Sequence, residues 1–211
     1  MVAVGFPKMR IRFSTSNPQD MHESVLHVIA KHPNICKHIH LPVQSGSNRI
    51  LKEMNRLHTR EEYMTLIDKI RAIIPNASIS QDMISGVPTE TEQDHQDTLS
   101  LMEYVKYNFG YMYSYSERPG TLAGRKMEDD VTDETKARRL QEIVDLQQKH
   151  AWFRSEEFIG QTVEFSGRNS QSITVVFPKE NYKIGDFVNV KITSCTSGTL
   201  KGEAVGLSEM N

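Results

Sequence analysis

Four short segments combine polar side chains with glycine or proline, and each directly follows a stretch that predicts a β-strand. These segments are residues 14–18, 42–47, 82–91 and 115–121. In parallel α/β folds, ligands bind where the strands end, so the four segments favour one shared pocket. Connecting loops are polar in most proteins, and from this pattern alone a shared pocket and ordinary surface loops are equally open.

Two residues in these segments have chemistry suited to a ligand that carries hydroxyl groups. Asp82 lies within an otherwise apolar predicted strand, where an unpaired carboxylate is costly, and a diol that donates two hydrogen bonds would satisfy it. Gln44 follows another predicted strand, and its amide can both donate and accept. The alternatives are a helix cap or a buried structural bond for Asp82, and a local backbone bond for Gln44.

The cysteine and histidine content argues against a metal centre built by this chain alone. Cys36 and Cys195 are the only two cysteines of the sequence, whereas an iron–sulfur cluster needs several clustered thiolates. His38 and His40 alternate along a predicted strand, which is more typical of core residues than of metal ligands. We therefore predict no metal ligand and no catalytic residue within this chain.

Composition and charge indicate a globular protein without a general affinity for nucleic acid. The 211 residues are 37% hydrophobic and 25% charged, and the net charge is -2. Without an overall basic field, any RNA contact has to come from a local patch. No apolar run approaches the ~20 residues of a membrane span, and no signal-peptide pattern is present. We expect a cytoplasmic monomer that does not contact the membrane.

The elements that position the four segments alternate short apolar strands with amphipathic helices over residues 1–157, the pattern of a parallel α/β sheet. Four such strand–helix units do not close an eight-stranded barrel, so they predict an open sheet or part of a larger barrel. Because the sequence starts almost directly on a strand, we expect a fragment whose earlier strands are missing. The strands are predicted over residues 9–14, 38–43, 78–84 and 110–115.

Helical spacing of apolar residues predicts the helices between these strands. Thr89 and Glu92 have the spacing of a capping box at the start of the third helix. A long polar helix is predicted over residues 132–157, as a connector that lies across a surface. The predicted apolar faces are Met21, Val25, Val28 and Ile29; then Tyr63, Leu66, Ile67, Ile70 and Ile74; then Leu99, Met102 and Val105; and in the long helix Leu140, Ile143, Val144 and Leu146.

The pattern changes in residues 158–211, which we predict to be a second, smaller domain. Strand signals follow one another closely, with turns at residues 185–186 and 198, and this predicts a small antiparallel β-barrel. The strands are predicted over residues 161–165, 172–177, 187–194 and 199–205.

Several motifs in one order make the chain resemble the radical S-adenosylmethionine methylthiotransferases. The motifs are NICKHIHLPVQSGS at residues 34–47, MNR at residues 54–56 and TRE at residues 59–61. Two further stretches, residues 115–121 and 190–197, point within that family to the MiaB-type tRNA enzymes. The resemblance runs through essentially the whole chain, and several motifs in the same order are far more specific than any one of them.

This resemblance implies an architecture, a reaction and a set of cofactors. The four predicted strands look like the last four of the family's six-stranded partial barrel, and the second domain looks like its RNA-binding TRAM domain. The family inserts a methylthio group at carbon 2 of an N6-isopentenyl adenosine next to the tRNA anticodon. Its cofactors are S-adenosylmethionine and 4Fe-4S clusters, whose CxxxCxxC motif is absent from this sequence. We therefore expect this chain alone to be inactive.

The resemblance also implies which residues bind S-adenosylmethionine. Arg56 suits the carboxylate at the methionine end of the cofactor, although a solvated cation at a helix end is the alternative. The glycine and the proline after the third strand would shape a turn whose backbone approaches the adenine. Gln81 stands where the family usually has threonine. The predicted cofactor residues are Gln44, Ser45, Arg56, Asp82, Gly86 and Pro88.

RNA contacts are predicted in two places. Arg118 lies in a loop near Tyr113 and Tyr115, where it would meet the substrate nucleotide or simply be an exposed charge. In the second domain we expect Arg168, Lys179 and Lys183 to contact the tRNA anticodon stem-loop. Residues 159–211 contain equal numbers of acidic and basic side chains, and a hairpin that is usually basic is shortened after residue 165, so RNA binding there would be modest. The rival readings are a non-catalytic RNA-binding module and a complete α/β enzyme with unrelated chemistry.

Overall fold

A computed structural model describes residues 2–14, 17–118 and 127–209 of the chain. A short helix and a 3-10 turn precede a set of alternating helices and strands, and four strands follow at the C-terminal end. The helices are α1 (Val2–Gly5), α2 (Glu23–Lys31), α3 (Asn48–Glu53), α4 (Arg60–Ile73), α5 (Glu92–Val105) and α6 (Asp133–Glu156), and the 3-10 turn is Pro18–Asp20. The strands are β1 (His38–His40), β2 (Ser78–Ser85), β3 (Phe109–Ser114), β4 (Thr162–Phe165), β5 (Thr174–Val176), β6 (Val188–Cys195) and β7 (Thr199–Leu207).

The first sheet is parallel, with strand order β1-β2-β3, which confirms the predicted α/β fold. The strand predicted over residues 9–14 is wrong, because only Ile11 pairs, in one isolated bridge to Ile35. Strand β1 is shorter than predicted, and pairing with β2 resumes in a single bridge at Gln44. Pro42 stands between, and proline has no N–H to donate to a ladder.

One face of this sheet is apolar and is covered by helices α2, α4, α5 and α6. Side chains alternate along a strand, so Ile79 and Met83 of β2 point into this core while their neighbours point away. In α2 the predicted apolar face is partly wrong, because Val25 and Val28 are exposed and Leu26 is fully buried beside Ile29. The helix therefore presents a face rotated from the one predicted.

The start of α5 also differs from the prediction. Thr91 is the N-cap, and its side chain and that of Asp94 form a capping box. Thr89 has a φ of 68° in the left-handed region, whereas an N-cap residue has an extended backbone. Because Thr89 lies in the turn before the cap, the predicted box of Thr89 and Glu92 does not form.

The long helix α6 has the predicted bounds but not the predicted role of a surface connector. It packs on β2, β3 and α5, and several polar side chains on its inner face are buried. Arg139 forms an ion pair of 3.0 Å with Glu90, and both side chains are at most 5% exposed. Lys136 similarly pairs with Asp129 at 2.5 Å. Ion pairs thus allow charged residues in places where periodicity predicts apolar ones. The buried polar side chains of α6 are Lys136, Arg139, Gln147, His150 and Ser155.

The second sheet has the strand order β4-β6-β7-β5 and its own apolar core. The pairs β4–β6 and β6–β7 are antiparallel as predicted, but β5 pairs with β7 in parallel. Residues 177–187 between β5 and β6 are too long for a tight hairpin, so β5 joins the far edge of the sheet beside β7. The predicted domain boundary after residue 157 falls at the end of α6. Among the described residues, no helix is long and apolar enough to cross a bilayer.

We predict that Arg139→Met lowers the free energy of unfolding by about 3–5 kcal/mol, because it leaves the buried Glu90 carboxylate without its cation. The double variant Arg139→Met/Glu90→Gln should recover part of this loss, since it removes the uncompensated charge. Arg138→Met is the matched control on the same helix, because Arg138 is exposed. Urea denaturation measures all three. An Arg139→Met protein as stable as the Arg138→Met protein would contradict the prediction.

Candidate cofactor pocket at the strand ends

The face of the first sheet that the helices leave uncovered is polar and aromatic. His40 lies beside Asp82, with 3.6 Å between His40 Nε2 and Asp82 Oδ1. Tyr111 packs edge-on against His40, and Tyr111 and Tyr113 are each 53% exposed. We use the name strand-end pocket for the region around Asp82, Gln44 and Tyr113, where β2 and β3 end.

The structure brings together Gln44 and Asp82, which the sequence predicts as partners in one pocket. The Gln44 N–H donates to the carbonyl of Asp82 at 2.9 Å, and the Ile84 N–H donates to the carbonyl of Gln44 at 3.0 Å. Gln44 has a φ of 74°, a conformation that is rare outside glycine. The backbone bonds to β2 hold Gln44 in this conformation, and a strained backbone of this kind is a feature of functional sites.

The three residues after Gln44 are fixed against α5 rather than open to a ligand. The Ser45 hydroxyl is fully buried and lies 3.4 Å from Thr98 Oγ1, and the Gly46 N–H donates to the same oxygen at 3.0 Å. A Cβ on Gly46 would lie 2.5 Å from the carbonyl oxygen of Asp97. Glycine is therefore required by the close approach to α5. The Ser45 hydroxyl helps to shape the loop, and its predicted contact with the cofactor stays a prediction.

Asp94 is the anchor of this loop, and sequence reasoning missed it. Its carboxylate accepts from Ser47 Oγ at 2.6 Å, from the Thr91 N–H at 2.8 Å and from the Arg49 guanidinium. Burial alone would raise the pKa of Asp94, but the bonds from Arg49, Ser47 and Thr91 outweigh it and lower that pKa below its ordinary value. The capping box of Thr91 with Asp94 was the available signal in the sequence.

Gly86 and Pro88 form the predicted turn after β2, but the glycine is required by α6. Gly86 has a φ of 72°, and a Cβ there would clash with the side chain of Lys136. Its N–H donates to Glu90 Oε2 at 2.7 Å, which ties the turn to the buried pair of Glu90 with Arg139. Pro88 is buried in the same turn. Their predicted contact with adenine stays a prediction.

The two predicted arginines of the first domain are both exposed. Arg56 follows α3, and its charge helps to lower the pKa of His58, for which burial is the larger cause. Arg118 follows β3 and borders residues 119–126, which lie outside the described residues together with residues 15 and 16. The predicted segments 14–18 and 115–121 are therefore described only in part.

The basic residues predicted in the second domain divide into two groups. Arg168 donates to the Ser172 carbonyl at 2.9 Å, and its own carbonyl accepts from Arg10 at 2.7 Å, so it takes part in the domain contact. Lys179 and Lys183 are exposed and line a groove of about 410 Å³. Three aromatic rings in edge-to-face contact, at 5.5 and 6.0 Å between centroids, line the same groove: Phe165, Phe177 and Tyr182.

Neither cysteine has the setting of a cluster ligand. Burial raises the pKa of the Cys36 thiol, which disfavours the thiolate that ligates iron. Two cysteines also provide too few thiolates for a 4Fe-4S cluster. Ligand atoms of Glu92, His95 and Glu142 lie within 4.8 Å of one another, but both carboxylates are already paired with Arg138. That group is therefore explained as an ion-pair network.

Two family profiles match the chain, one over most of the first domain and one over the second. The Radical SAM superfamily profile matches residues 3–102, and the TRAM domain profile matches residues 155–205. The fold is similar to that of coproporphyrinogen III oxidase from Escherichia coli, a radical SAM enzyme, with a TM-score of 0.56 and 19% identity. That similarity covers 86% of this chain and 46% of the oxidase chain. The fold and the profiles define a radical SAM protein segment joined to a TRAM domain.

Curated relatives narrow the class to one family. Proteins named tRNA-2-methylthio-N(6)-dimethylallyladenosine synthase from Flavobacterium johnsoniae and Flavobacterium psychrophilum are each 87% identical to this chain over its whole length. The protein of that name from Christiangramia forsetii is 64% identical over the same length. The chain belongs to this family of radical SAM methylthiotransferases, which confirms the resemblance inferred from its motifs. It spans 47% of the length of these relatives.

We predict that Asp94→Asn lowers the free energy of unfolding by roughly 1.5–3 kcal/mol at pH 7, because charge-assisted bonds to Ser47 and Arg49 are lost. The folded pKa of Asp94 lies below the unfolded one, so this stabilisation is complete above about pH 4 and is lost as the pH falls through the folded value.

Denaturation at pH 7 and at pH 3 tests this prediction, and the difference between wild type and variant should shrink at pH 3. Asp97→Asn is the control on the same helix, since the carbonyl of Asp97 rather than its carboxylate contacts the loop through Arg60. A pH-independent difference would show that the Asp94 charge is not the stabilising feature.

Proposed function

We propose that the protein to which this chain belongs transfers a methylthio group to carbon 2 of an N6-isopentenyladenosine next to the anticodon of tRNA. The observation that carries the proposal is the 64–87% identity, over the whole chain, with synthases named for this product. Since the chain spans about half of their length, activity belongs to the whole protein and requires residues that this sequence does not contain. We further propose a cytoplasmic monomer.

In this proposal the strand-end pocket binds part of S-adenosylmethionine. The Asp82 carboxylate is partly exposed at the edge of the polar face, where it can accept two hydrogen bonds from a ribose diol. Gln44 is next to it through a backbone bond and offers an amide to the same ribose. When bound, the cofactor would supply the methyl group and the radical chemistry, while these residues orient it.

Other predicted residues would complete the cofactor contacts. Arg56 is exposed beyond α3, and its planar guanidinium suits the carboxylate of the methionine end. The turn at Gly86 and Pro88 is fixed by Glu90, so its backbone is a rigid edge for the adenine. Ser45 would act indirectly, by holding the loop of Gln44 against α5. Arg118, at the end of β3, would meet the substrate nucleotide.

The chain by itself would be inactive, because two cysteines cannot hold a 4Fe-4S cluster. This observation favours the rival function, in which the 211-residue chain acts alone as an RNA-binding module. The rival is tested by tRNA binding of the isolated chain and by activity of the whole protein after anaerobic cluster reconstitution. Methylthiolated tRNA from the whole protein, detected by mass spectrometry, supports the proposal. If the whole protein binds a cluster but forms no methylthiolated tRNA, the RNA-binding module is favoured.

The TRAM domain would bind tRNA through the groove that contains Lys179 and Lys183. Cations beside aromatic rings can hold RNA through its phosphates and by stacking. The domain has no excess of positive charge, so its share of the affinity would be modest. The relatives align over 224 positions with the 211 residues of this chain, which supports the prediction that one of its loops is shortened.

In the whole protein, Asp82→Ala or Arg56→Ala should weaken S-adenosylmethionine binding by about tenfold or more, because each removes a charge-assisted bond. Isothermal titration calorimetry on the reconstituted protein measures the affinity. Lys52→Ala, in the exposed last turn of α3, is the control for a lost surface charge. Wild-type affinity in both test variants would assign these residues a structural role only.

For the TRAM domain, we predict that Lys179→Ala and Lys183→Ala each make tRNA binding less sensitive to salt. The slope of log affinity against log salt concentration should become shallower by about one unit in each variant. The reason is that each phosphate contact releases counterions when it forms. Binding is measured across a salt series in the whole protein. Lys191→Ala is the control, because Lys191 is exposed on β6 outside the groove. Equal slopes for all four proteins would mean that the two lysines only solvate the surface.

A further inference from the structure

His40 lies between a buried hydroxyl and the carboxylate that the proposed function assigns to cofactor binding. Its Nδ1 is 2.8 Å from Ser80 Oγ, and its Nε2 is 3.6 Å from Asp82 Oδ1. Ser80 is fully buried, and its hydroxyl also lies 3.3 Å from His38 Nε2. The three side chains therefore form a line along β1 and β2 that ends at Asp82.

The carboxylate favours one direction for the two hydrogen bonds of Ser80, while the 3.6 Å between His40 Nε2 and Asp82 Oδ1 is a close contact longer than a hydrogen bond. A carboxylate only accepts, so the His40 tautomer with its proton on Nε2 suits the side of the ring that faces Asp82. Nδ1 of His40 is then an acceptor, and it accepts a hydrogen bond from the hydroxyl of Ser80. The Ser80 oxygen remains free to accept from His38 Nε2, and in this arrangement the buried hydroxyl is satisfied twice.

Both imidazole rings are held in place by aromatic residues of β3. His38 stacks on Phe109 at 4.9 Å between centroids, and His40 meets the edge of Tyr111 at 6.2 Å. Burial is the main cause that lowers the pKa of His38 to about 4, and the charges of Arg12 and Arg168 add to it, although a backbone contact with Ser78 opposes this. His38 is therefore neutral at physiological pH. A neutral imidazole carries one ring proton, and this proton allows Nε2 to donate to Ser80.

We propose that His40 is a positioning residue that turns its Nε2–H toward Asp82, so that the dipole of this N–H orients the nearby carboxylate for the diol of the ligand. Ser80 and His38 support it by fixing the tautomer and the orientation of the ring. The expected effect on ligand binding rests on the proposed function, whereas the His40 tautomer can be measured on this chain without a ligand. The sequence pattern predicts His40 to be a core residue, whereas the structure places its Nε2 3.6 Å from Asp82 Oδ1.

The tautomer is measured on the 211-residue chain by long-range proton–nitrogen NMR of the histidine side chains at pH 7. We expect His40 in the Nε2–H form. Ser80→Ala should remove the donor to Nδ1 and shift the His40 nitrogen resonances, whereas Ser100→Ala, on the exposed side of α5, should leave them unchanged. A wild-type His40 that carries its proton on Nδ1, or on both nitrogens, overturns the proposal.

The consequence is measured as S-adenosylmethionine affinity of the reconstituted whole protein. His40→Leu should weaken binding about threefold to tenfold, and His40→Gln should restore it, because the Gln amide also donates on one side and accepts on the other. His27→Leu, exposed on α2, is the control. Equal binding by His40→Leu and wild type overturns the positioning role.

A double-mutant cycle separates this inference from the proposed function. In an Asp82→Ala background, His40→Leu should cause no further loss, because its effect acts through the carboxylate. An additional loss in that background would show that His40 acts independently of Asp82 and would overturn the proposal. Unchanged affinity of Asp82→Ala alone would refute the proposed cofactor pocket, while the NMR result would still decide the tautomer of His40.

Discussion

The buried ion pair between Arg139 and Glu90 is the interaction on which the strand-end pocket depends. Its two charges are almost fully removed from water, so each needs the other. Glu90 also accepts from the Gly86 N–H, and Arg139 also donates to the Glu90 carbonyl at 2.9 Å. One pair thereby fixes α6, the turn after β2 and the start of α5 relative to one another, and Asp82 lies just before that turn.

A second set of polar contacts fixes the opposite side of the pocket. Asp94 holds Ser47 and Arg49, and Thr98 holds Gly46, so the loop that carries Gln44 is attached to α5. Much of the sequence motif that identifies the family is therefore scaffold in this chain. These contacts keep the loop after Gln44 against α5, and Gln44 itself pairs with β2. Glycine is required at position 46 because the loop backbone lies directly against the backbone of α5 there.

The TRAM domain is attached to the first domain by polar contacts. The guanidinium of Arg10 pairs with Glu164, donates to the carbonyl of Arg168 and lies 4.8 Å from the centre of the Phe187 ring. Arg12 donates to the Asn169 carbonyl at 3.0 Å. Segment 9–14 thus contributes side chains to the domain contact instead of a strand to the sheet. These contacts set where the groove of the TRAM domain lies relative to the pocket.

The sequence by itself determined the α/β fold, most element bounds, the family and the meeting of Gln44 with Asp82, because strand periodicity and the strand-end rule are local or topological. Tertiary structure decided what local patterns do not encode. The inner face of helix α6 is buried with its charged residues in ion pairs, where periodicity predicts a surface helix, and β5 joins β7 because of a long connection. Only packing across elements shows that the Ser45 hydroxyl faces α5 and that the His40 imidazole lies beside the Asp82 carboxylate.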